Sequence, residues 1–272
     1  MPELPEVETI ANGLHKRVAG DRIESVWVGN KKEPFKSRPA EVVRTLEGAA
    51  IERVHRVGKH IVLHLKTGKA GAPSAAQWIV HLGMTGRMVV ATPDDETAKH
   101  THLVARLASG RELRFVDPRR FGRLEVRRDG FAGPGHEPTT IGEEEFVQLF
   151  HKSTAFIKAA LLNQKFLHGV GNIYADESLI RAGVRPRRRA NTLTREELLK
   201  LRKGLQDVLK EAIAAGGSSV SDYVDADGEE GFFQLKHRAY GREGQPCRKC
   251  KTPIKKIVVA GRGTHYCPKC QK

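Results

Sequence analysis

The sequence Cys247-Arg248-Lys249-Cys250, followed sixteen residues later by Cys267-Pro268-Lys269-Cys270, holds all four cysteines of the chain. Two C-x2-C pairs at this separation are the spacing of a structural zinc site. Four thiolates complete a tetrahedral shell and leave no open coordination position. Two disulfides or a redox pair are the alternatives, but no signal peptide is recognisable, and a reducing compartment disfavours disulfides. We therefore predict one structural Zn²⁺.

The segment between the two cysteine pairs predicts a β-hairpin. Residues 254–259 are rich in Ile and Val, residues 261–263 read Gly-Arg-Gly, and Thr264-His265-Tyr266 follows. Arg262 would then project from the tip of the hairpin. So small a hairpin buries little apolar surface, and we expect it to depend on the metal for its shape.

The charge of the chain indicates a polyanionic partner. The formal net charge is +15, and residues 236–272 carry eleven Lys or Arg against one acid, a local net charge of +10. Further basic clusters lie at 185–189 and 119–120. Such a field favours nucleic acid ahead of a membrane surface. No stretch approaches the roughly 18 apolar residues that a bilayer span requires, so no membrane association is expected.

The rest of the chain predicts an α+β protein in three parts: residues 2–130, 131–235 and 236–272. Strands are predicted at 23–28, 61–65, 78–82, 103–107 and 113–116, with a turn at Ser109-Gly110. Helices are predicted at 143–151, 154–164, 174–182 and 194–215, the last with a capping box of Thr194 and Glu197. The Gly- and Pro-rich residues 130–138 predict a linker, residues 66–76 a surface loop, and residues 216–233 a mobile loop.

The first residues, Met1-Pro2-Glu3-Leu4-Pro5-Glu6, allow two compatible interpretations. If Met1 is removed, Pro2 has a free secondary amine, and α-amino groups have a pKa of about 7.7–8.0. Such an amine can act as a covalent catalyst. The alternative is a simple helix start, since Pro and acids are favoured in a first turn and apolar residues recur at helical spacing. A rigid helix start is also a good place to hold a nucleophile.

A second candidate site lies at His168-Gly169-Val170-Gly171-Asn172. Two glycines allow a close approach of the backbone, and the helix start that follows offers N–H groups to a phosphate. Asn172 would add a side-chain donor. A plain helix–helix turn is the alternative, and the dinucleotide-binding fingerprint is excluded because no third glycine follows.

Six segments of the chain, in order, resemble those of the bacterial formamidopyrimidine-DNA glycosylase family, which are bifunctional base-excision enzymes for oxidised purines. They are Pro2-Glu3-Leu4-Pro5-Glu6-Val7-Glu8, Val57-Gly58-Lys59, His81-Leu82-Gly83-Met84-Thr85-Gly86, Asp117-Pro118-Arg119-Arg120-Phe121-Gly122, Gly169-Val170-Gly171-Asn172-Ile173-Tyr174-Ala175-Asp176-Glu177 and Gly261-Arg262-Gly263-Thr264-His265-Tyr266-Cys267-Pro268-Lys269-Cys270. The resemblance covers essentially the whole chain. The sister group, endonuclease VIII, acts on oxidised pyrimidines and usually has Gly where this chain has Leu4.

The resemblance implies a fold and a mechanism. The fold is an N-terminal β-sandwich flanked by helices, then a helical domain with a helix–two-turn–helix and the zinc finger, with DNA in the cleft between them. The Pro2 amine attacks the sugar C1′ of an extruded nucleotide. Glu3 protonates the sugar ring oxygen, the base departs, and the resulting iminium drives β- and then δ-elimination.

The resemblance also implies roles for individual residues. The residues expected to contact phosphate are Lys59, Asn172 and Arg262. Without the resemblance, Lys59 could equally be an ordinary solvated lysine. Filling the gap left by the extruded base falls to Met84, Arg119 and Phe121, although by composition Met84 and Phe121 would more often be core residues. The further expected DNA contacts are His100 and Lys158. The loop that folds over the lesion includes Ser218, Ser219 and Tyr223.

Three departures from the family are visible. Thr101 stands where Asp is common, Ser218-Ser219 replaces a pair that usually contains threonine, and the 66–76 loop is longer than usual. None of them removes a catalytic residue.

Two alternatives from other classes remain at this point: a DNA-binding module without catalysis, and a tautomerase that uses an N-terminal proline. Pro2 and Glu3 argue against the first, and the zinc finger and basic C-terminal residues argue against the second. The expected partner is duplex DNA with oxidised purines or abasic sites. The expected state is a monomer in the bacterial cytoplasm, associated with the nucleoid.

Overall fold

The computed structural model describes residues 1–68, 74–219 and 231–272. These form two compact units, Met1–Ala132 with Ser218–Gly231 and Gly133–Gly217 with Phe232–Lys272. The Gly- and Pro-rich stretch at 130–138 includes the boundary between Ala132 and Gly133. The zinc-finger residues group with the helical residues, and the division into three domains stays a prediction.

The first unit is a β-sandwich flanked by two helices. Its sheets are antiparallel, with strand orders β1-β6-β7-β5 and β2-β3-β4-β8. The elements in chain order are α1 (Leu4–Val18), β1 (Ile23–Val28), α2 (Pro39–Leu46), β2 (Ala50–Val57), β3 (His60–Thr67), β4 (Ser74–His81), β5 (Arg87–Ala91), β6 (Thr101–Leu107), β7 (Glu112–Val116) and β8 (Arg123–Arg127).

One apolar core joins the two sheets to α1. Leu63 of β3, Leu103 of β6 and Phe115 of β7 are all fully buried within it. Helix α1 contributes Val7 and Leu14, which lie on one face because their spacing matches two helical turns. Burying such side chains stabilises a fold by about 1.5–3 kcal/mol each. The first turn of α1 is therefore fixed to the sandwich, and so is the position of the residues just before it.

The second unit is helical and ends in a two-stranded hairpin. Its elements are α3 (Glu143–His151), α4 (Ile157–Leu162), α5 (Asn172–Ala182), α6 (Arg195–Ala214), β9 (Lys255–Val259) and β10 (Arg262–Tyr266). Helix α6 begins with the predicted capping box, in which the Thr194 hydroxyl accepts from the Glu197 N–H and the Glu197 carboxylate accepts from the Thr194 N–H. Among the described residues, no helix has the length and apolar character to cross a bilayer.

The fold class is confirmed, and several element boundaries differ from the sequence prediction. Helix α2 and strands β2, β5 and β8 were not predicted. Helix α4 is shorter than the predicted 154–164. The predicted loop at 66–76 is wrong at both ends, because Lys66 pairs with Ala75 and Thr67 with Ser74 in the β3–β4 ladder, while residues 69–73 lie outside the described chain.

The hairpin turn also differs from its prediction. Ala260 and Gly261 make the turn, both with positive φ, and Arg262 is the first residue of β10, opposite Val259. Arg262 is exposed beside the turn rather than at its centre.

Candidate functional site

The N-terminal residues are held by a carboxylate at the first turn of α1. Glu3 is the N-cap residue and is 4% exposed, while Glu6 is 2% exposed. The Glu3 N–H donates to Glu6 Oε2 at 2.8 Å. Pro2 directly precedes this capped turn and is half-buried. The backbone on which the Pro2 nitrogen sits is thus ordered by the turn that follows it.

The same Glu6 carboxylate reaches a segment far along the sequence. Its Oε1 accepts a hydrogen bond from the Ser218 N–H at 2.8 Å. The Ser219 hydroxyl oxygen accepts from the Gly231 N–H at 2.9 Å, which brings together the residues on either side of 220–230. Two of the three predicted lesion-loop residues, Ser218 and Ser219, are therefore anchored beside α1. The third, Tyr223, lies outside the described residues.

Lys59 lies in the turn between β2 and β3, next to a pair of histidines. His60 and His81 face each other across the β3–β4 ladder with ring centroids 4.9 Å apart. Burial, followed by the charges of Lys59 and Arg123, lowers the pKa of His81 to about 4. Burial, followed by the neighbouring His81, lowers the pKa of His60 to about 4. Both rings are neutral at neutral pH, so the positive charge here belongs to Lys59, Arg123 and Lys36, the last of which is paired with Glu125 at 2.8 Å.

The three predicted gap-filling residues lie on two adjoining loops of the first unit. Met84 is 44% exposed and Phe121 is 48% exposed, so neither is a core residue. The Arg119 guanidinium carbon lies 4.7 Å from the centre of the Phe121 ring. Gly83 has φ +64°, and a Cβ there would meet the Gly122 nitrogen at 2.6 Å. Only glycine permits this approach of the loops, which places Met84 near the Arg119–Phe121 pair.

Asp117, which is fully buried, fixes both of these loops. Its Oδ1 accepts from the Thr85 hydroxyl at 2.6 Å and from the Arg119 N–H at 3.2 Å. Its Oδ2 accepts from the Gly122 N–H at 2.7 Å. Hydrogen bonds to a carboxylate are stronger than neutral ones. The exposed side chains are therefore presented by backbone that a buried charge holds in place.

His100 joins the same region through its main chain. The Asp117 N–H donates to the His100 carbonyl oxygen at 3.0 Å. The His100 side chain is exposed. The structure therefore places three predicted DNA contacts, His100, Arg119 and Phe121, around Asp117 and within the first unit.

In the second unit, Lys158 differs from its expected role. It is completely buried, and its Nζ lies 2.6 Å from Asp176 Oδ1, 2.8 Å from Thr264 Oγ1 and 3.2 Å from the Gly263 carbonyl oxygen. The second Asp176 oxygen accepts from the His265 N–H at 2.8 Å. A direct contact of Lys158 with DNA does not fit this geometry, because the ammonium is enclosed by protein groups. Lys158 instead ties α4 and α5 to β10.

Asn172 and Arg262 each lie close in sequence to a partner of Lys158, since Asn172 precedes Asp176 in α5 and Arg262 precedes Gly263 and Thr264 in β10. Asn172 begins α5, and its Nδ2 donates to the Gly263 carbonyl oxygen at 2.9 Å. Its buried Oδ1 has no hydrogen-bond partner among the described residues. Arg262 directly precedes Gly263 and is exposed. The start of α5 and the start of β10 are thus joined, and both predicted phosphate contacts are presented from one small region.

The four cysteines form a metal site. Their Sγ atoms all lie within 4.8 Å of one another, with Cys250 and Cys267 at 3.4 Å and Cys247 and Cys270 at 4.0 Å. A tetrahedron with Zn–S bonds of about 2.3 Å has sulfur atoms about 3.8 Å apart. Burial raises the pKa of the Cys270 thiol to about 12, so a cation is needed for all four to ionise. The donor set and spacing fit one structural Zn²⁺, with no position for a catalytic water.

The basic cluster at 185–189 supports the zinc finger as well as adding charge. Arg185 donates to the carbonyl oxygens of Pro268 and Gln271, and Arg187 donates to that of Val258. The Lys272 N–H donates to the Gly183 carbonyl oxygen at 2.9 Å. The hairpin is therefore attached to the end of α5 and to the segment that follows it.

Three family profiles match this chain in succession. Residues 1–124 match the formamidopyrimidine-DNA glycosylase N-terminal domain, residues 133–224 its H2TH domain, and residues 244–272 the zinc finger found in FPG and IleRS. A formamidopyrimidine-DNA glycosylase of Solibacter usitatus is 42% identical over 275 residues and covers all of both chains. The chain belongs to the formamidopyrimidine-DNA glycosylase family.

Solved structures of the family share the whole fold. A mutant FPG of Lactococcus lactis, in complex with DNA containing Fapy-dG, has a TM-score of 0.90 and 34% identity, and the match covers all of both chains. The MutM (FPG) protein of Thermus thermophilus has a TM-score of 0.86 and 40% identity, covering 99% of this chain and 98% of that one. The resemblance stated from the six motifs is thus confirmed over the full length.

Three carboxylates that hold the site were not assigned that role from the sequence. Asp117 and Asp176 each stand inside a quoted motif, but nothing in the sequence distinguished them from the residues around them. Glu6 was interpreted as an acid near the amine and as a favourable first-turn acid of the helix, not as the carboxylate that binds Glu3 and Ser218. An acid next to small or apolar residues could have indicated these groups. Such an acid can be buried, and a buried carboxylate must accept hydrogen bonds from nearby donors.

Proposed function

We propose that this chain removes oxidised purines, namely 8-oxoguanine and formamidopyrimidines, from duplex DNA and then cuts the strand at the abasic site by β,δ-elimination. The observation that carries the proposal is the setting of Pro2. Once Met1 is removed, its amine stands immediately before a helix turn that Glu6 and the buried core hold in place. A nucleophile on rigid backbone loses little freedom when it meets its target.

The first step uses the lone pair of the Pro2 nitrogen. It forms a bond to the sugar C1′ while the bond from C1′ to the base breaks, and the base leaves with the bonding electron pair. The base takes up one proton and the Pro2 nitrogen loses its N–H proton, so this exchange is balanced. Glu3 supplies the proton that the ring oxygen takes up as the sugar opens to the iminium. Glu3 suits this role because it directly follows the amine and its position is fixed by the almost completely buried first turn of α1.

The second step follows from the amine being secondary. Its adduct with C1′ is an iminium with a fixed positive charge, which no loss of an N–H proton can neutralise. The charge makes the C2′ proton acidic, so β-elimination releases the 3′ phosphate and δ-elimination then releases the 5′ phosphate. Water hydrolyses the remaining adduct and restores the Pro2 amine.

Contacts to the DNA fall to both units. Lys59, Asn172 and Arg262 bind phosphates at the lesion, with His100 as a further contact. Met84, Arg119 and Phe121 occupy the gap in the duplex, and the exposure of Met84 and Phe121 supports this assignment. An aromatic or methionine wedge fills an unstacked step, and an arginine can hydrogen-bond the unpaired base. Residues Ser218, Ser219 and Tyr223 cover the extruded base.

All of these residues belong to one chain, so we propose that the protein acts as a monomer on chromosomal DNA in the bacterial cytoplasm. Because the preference for oxidised purines is proposed as well, borohydride trapping is compared on an oxidised-pyrimidine duplex.

Borohydride reduction tests the proposal directly. Mature protein that begins at Pro2 should give a covalent adduct with 8-oxoguanine duplex, and peptide mass spectrometry should place the DNA on Pro2. A matched protein that retains one residue before Pro2 should give neither adduct nor cleavage. Efficient trapping of that blocked protein through an internal lysine would overturn the assignment of Pro2 as the nucleophile. A stronger reaction with the oxidised-pyrimidine duplex than with the 8-oxoguanine duplex would overturn the purine preference.

Glu3→Gln separates the two steps. We expect it to impair release of 8-oxoguanine far more than cleavage of a preformed abasic site, since only the first step requires protonation of the sugar ring. Glu8→Gln is a matched control on the same helix. Equal losses of Glu3→Gln on both substrates would contradict the role given to Glu3.

A further inference from the structure

A cavity of about 670 Å³ lies in the first unit, beside the loop that carries Arg119. Its lining residues are Trp27, Val28, Gly29, Asn30, Lys31, Lys99, His100, Thr101, His102, Pro118 and Arg120. The volume lies within the range of roughly 300–1,000 Å³ typical of small-molecule sites. None of the lining residues is acidic, and the nearby Glu33 carboxylate is paired with Arg120 at 2.8 Å.

One wall is an exposed indole. Trp27, in β1, is 54% exposed, whereas Trp78, the other tryptophan of the chain, is completely buried. Gly29 lies two residues further along on the same face of the chain, and a Cβ at Gly29 would be 3.5 Å from Trp27 Cη2. The edge of the ring therefore lies against the main chain at Gly29, while 54% of Trp27 stays exposed. An exposed aromatic face next to open space is a stacking platform for a planar group.

The rim of the cavity is cationic. Lys31 and Lys99 are exposed, and neither forms an ion pair within 4.0 Å among the described residues, although the charge of Lys31 is felt by the Glu33 carboxylate. Arg120 is paired with Glu33 at 2.8 Å, so its charge is partly neutralised. Thr101 is uncharged, and its hydroxyl proton is already donated to the Ala98 carbonyl oxygen at 2.8 Å. Lys31 and Lys99 are therefore the charges available to an anion here.

We propose that this cavity binds an unpaired nucleotide, with its base stacked on Trp27 and its phosphate held by Lys31 and Lys99. Both parts of the ligand are needed to use the site, since the indole favours a planar base and the lysines favour an anion. The nucleotide can be free or part of a single strand. The site extends beyond the proposed function, which assigns no role to Trp27, Lys31 or Lys99.

Tryptophan fluorescence measures this binding with little background. Trp78 is buried, so quenching by a stacked base reports on Trp27. The probes are thymidine 5′-monophosphate, thymidine, inorganic phosphate and a tetrathymidylate strand. We expect saturable quenching by the monophosphate and the strand, and at least tenfold weaker effects of thymidine or phosphate alone. Quenching by the monophosphate assigns a free nucleotide as a ligand, and quenching by the strand alone assigns single-stranded DNA.

Variants locate the site. Lys31→Ala and Lys99→Ala should each weaken binding roughly tenfold, the loss expected for one charge-assisted contact. Lys32→Ala, which removes a neighbouring exposed lysine that does not line the cavity, should have no effect. Trp27→Phe should abolish the fluorescence change but keep binding detectable by equilibrium dialysis, and Trp27→Ala should weaken it. Absence of binding by all probes, equal binding of phosphate and monophosphate, or equal effects of Lys31→Ala and Lys32→Ala would overturn the proposal.

Borohydride trapping of the Trp27→Ala protein on lesion duplex keeps the two proposals apart. We expect normal trapping at Pro2 in this variant. An unsubstituted protein that binds nucleotide but gives no borohydride adduct would contradict the proposed function alone. An unsubstituted protein that gives the adduct but binds no nucleotide would contradict the cavity proposal alone.

Discussion

The loops around Asp117 and the hairpin around Lys158 both carry exposed side chains on backbone that a buried charged group holds in place. The two regions differ in the groups that surround the buried charge. Asp117 is surrounded by neutral donors, a hydroxyl and two main-chain N–H groups. Lys158 is paired with an opposite charge, Asp176, at 2.6 Å. The second unit also has a metal site, whereas none of the other described residues of the chain form a comparable cluster of metal ligands.

This difference has a physical reason. The sandwich supplies a large apolar core behind Asp117, so its loops need only local hydrogen bonds. The core around the zinc site consists of Cys247, Ile254 and Cys267 with a few partly buried neighbours. So small a core cannot hold a hairpin. A metal and a buried ion pair take its place, and loss of either should be more damaging than loss of any single hydrogen bond around Asp117.

Loss of zinc should have the largest effect. Cys250→Ser should lower zinc content and disorder the hairpin, since a structural zinc contributes an apparent free energy of about 10–16 kcal/mol in isolated zinc-finger peptides. DNA affinity and turnover should fall, while the sandwich keeps its fold. Zinc analysis, amide exchange and DNA titration measure these effects, with Lys249→Ser as the matched control. A hairpin that stays protected from exchange without zinc would contradict the difference drawn between the two units.

Lys158→Met should have the next largest effect. It leaves Asp176 buried without its cation, and breaking a buried pair costs about 3–5 kcal/mol. Urea unfolding of the second unit measures the loss, and the exposed Lys165→Met is the control. The double variant Lys158→Met, Asp176→Asn should recover part of the stability. A stable Lys158→Met protein whose salt-dependent DNA binding alone is weakened would instead restore Lys158 as a direct DNA contact.

Sequence reasoning succeeded where the chemistry is local. The cysteine spacing determines a zinc site because the ligands of each pair are three residues apart, and the Thr194 capping box lies within one turn. It failed where partners are distant: Lys158 meets Thr264 across 106 residues, and Asp117 meets Thr85 across 32. Lys158 was therefore expected, from the family resemblance, to contact DNA, although its charge is enclosed by protein groups.

The fold shows the same limit. Strand β2 buries few of its residues and carries charges on both faces, so its apolar alternation is weak. Strand β8, Arg123-Leu124-Glu125-Val126-Arg127, does alternate and was detectable. The Ala75 and Ala76 residues of β4 have low strand propensity and were interpreted as loop, but pairing with β3 overrides that preference.

Asp117→Asn should have a smaller effect than Lys158→Met. An amide keeps one acceptor but turns an N–H group toward donors that the carboxylate served, and a hydrogen bond to a charged group is worth about 1.5–3 kcal/mol. We expect a loss of stability within that range and weaker capture of lesion duplex, with zinc content unchanged. The exposed Asp129→Asn is the control. A loss as large as that of Lys158→Met would show that neutral donors hold a loop no less strongly than an ion pair.

Phe121→Ala tests the exposed side chain rather than its support. Loss of one stacking or wedging contact should weaken lesion capture by roughly 1–3 kcal/mol. The melting temperature should barely change, because the ring is half exposed. Phe115→Ala, which removes a fully buried ring of the same unit, should cost about 3–5 kcal/mol of stability. A fall in melting temperature for Phe121→Ala close to that of Phe115→Ala would contradict a wedge on the surface.

Arg262→Ala should have the smallest effect, and a specific one. Arg262 is exposed at the start of β10, in a hairpin that zinc and Lys158 hold, so we expect its removal to leave the fold and the zinc site intact. Affinity should fall alike for lesion and undamaged duplex, because a phosphate contact carries no sequence information. A plot of log affinity against log salt should flatten by about 0.9 units of slope, the value for one phosphate. Lys210→Ala, an exposed lysine of α6, should leave the slope unchanged. An unchanged slope for Arg262→Ala with normal zinc content would show that the hairpin contributes to affinity without Arg262 binding the backbone, and the exposed residue to examine would then be a neighbouring cation of β9, such as Lys255 or Lys256.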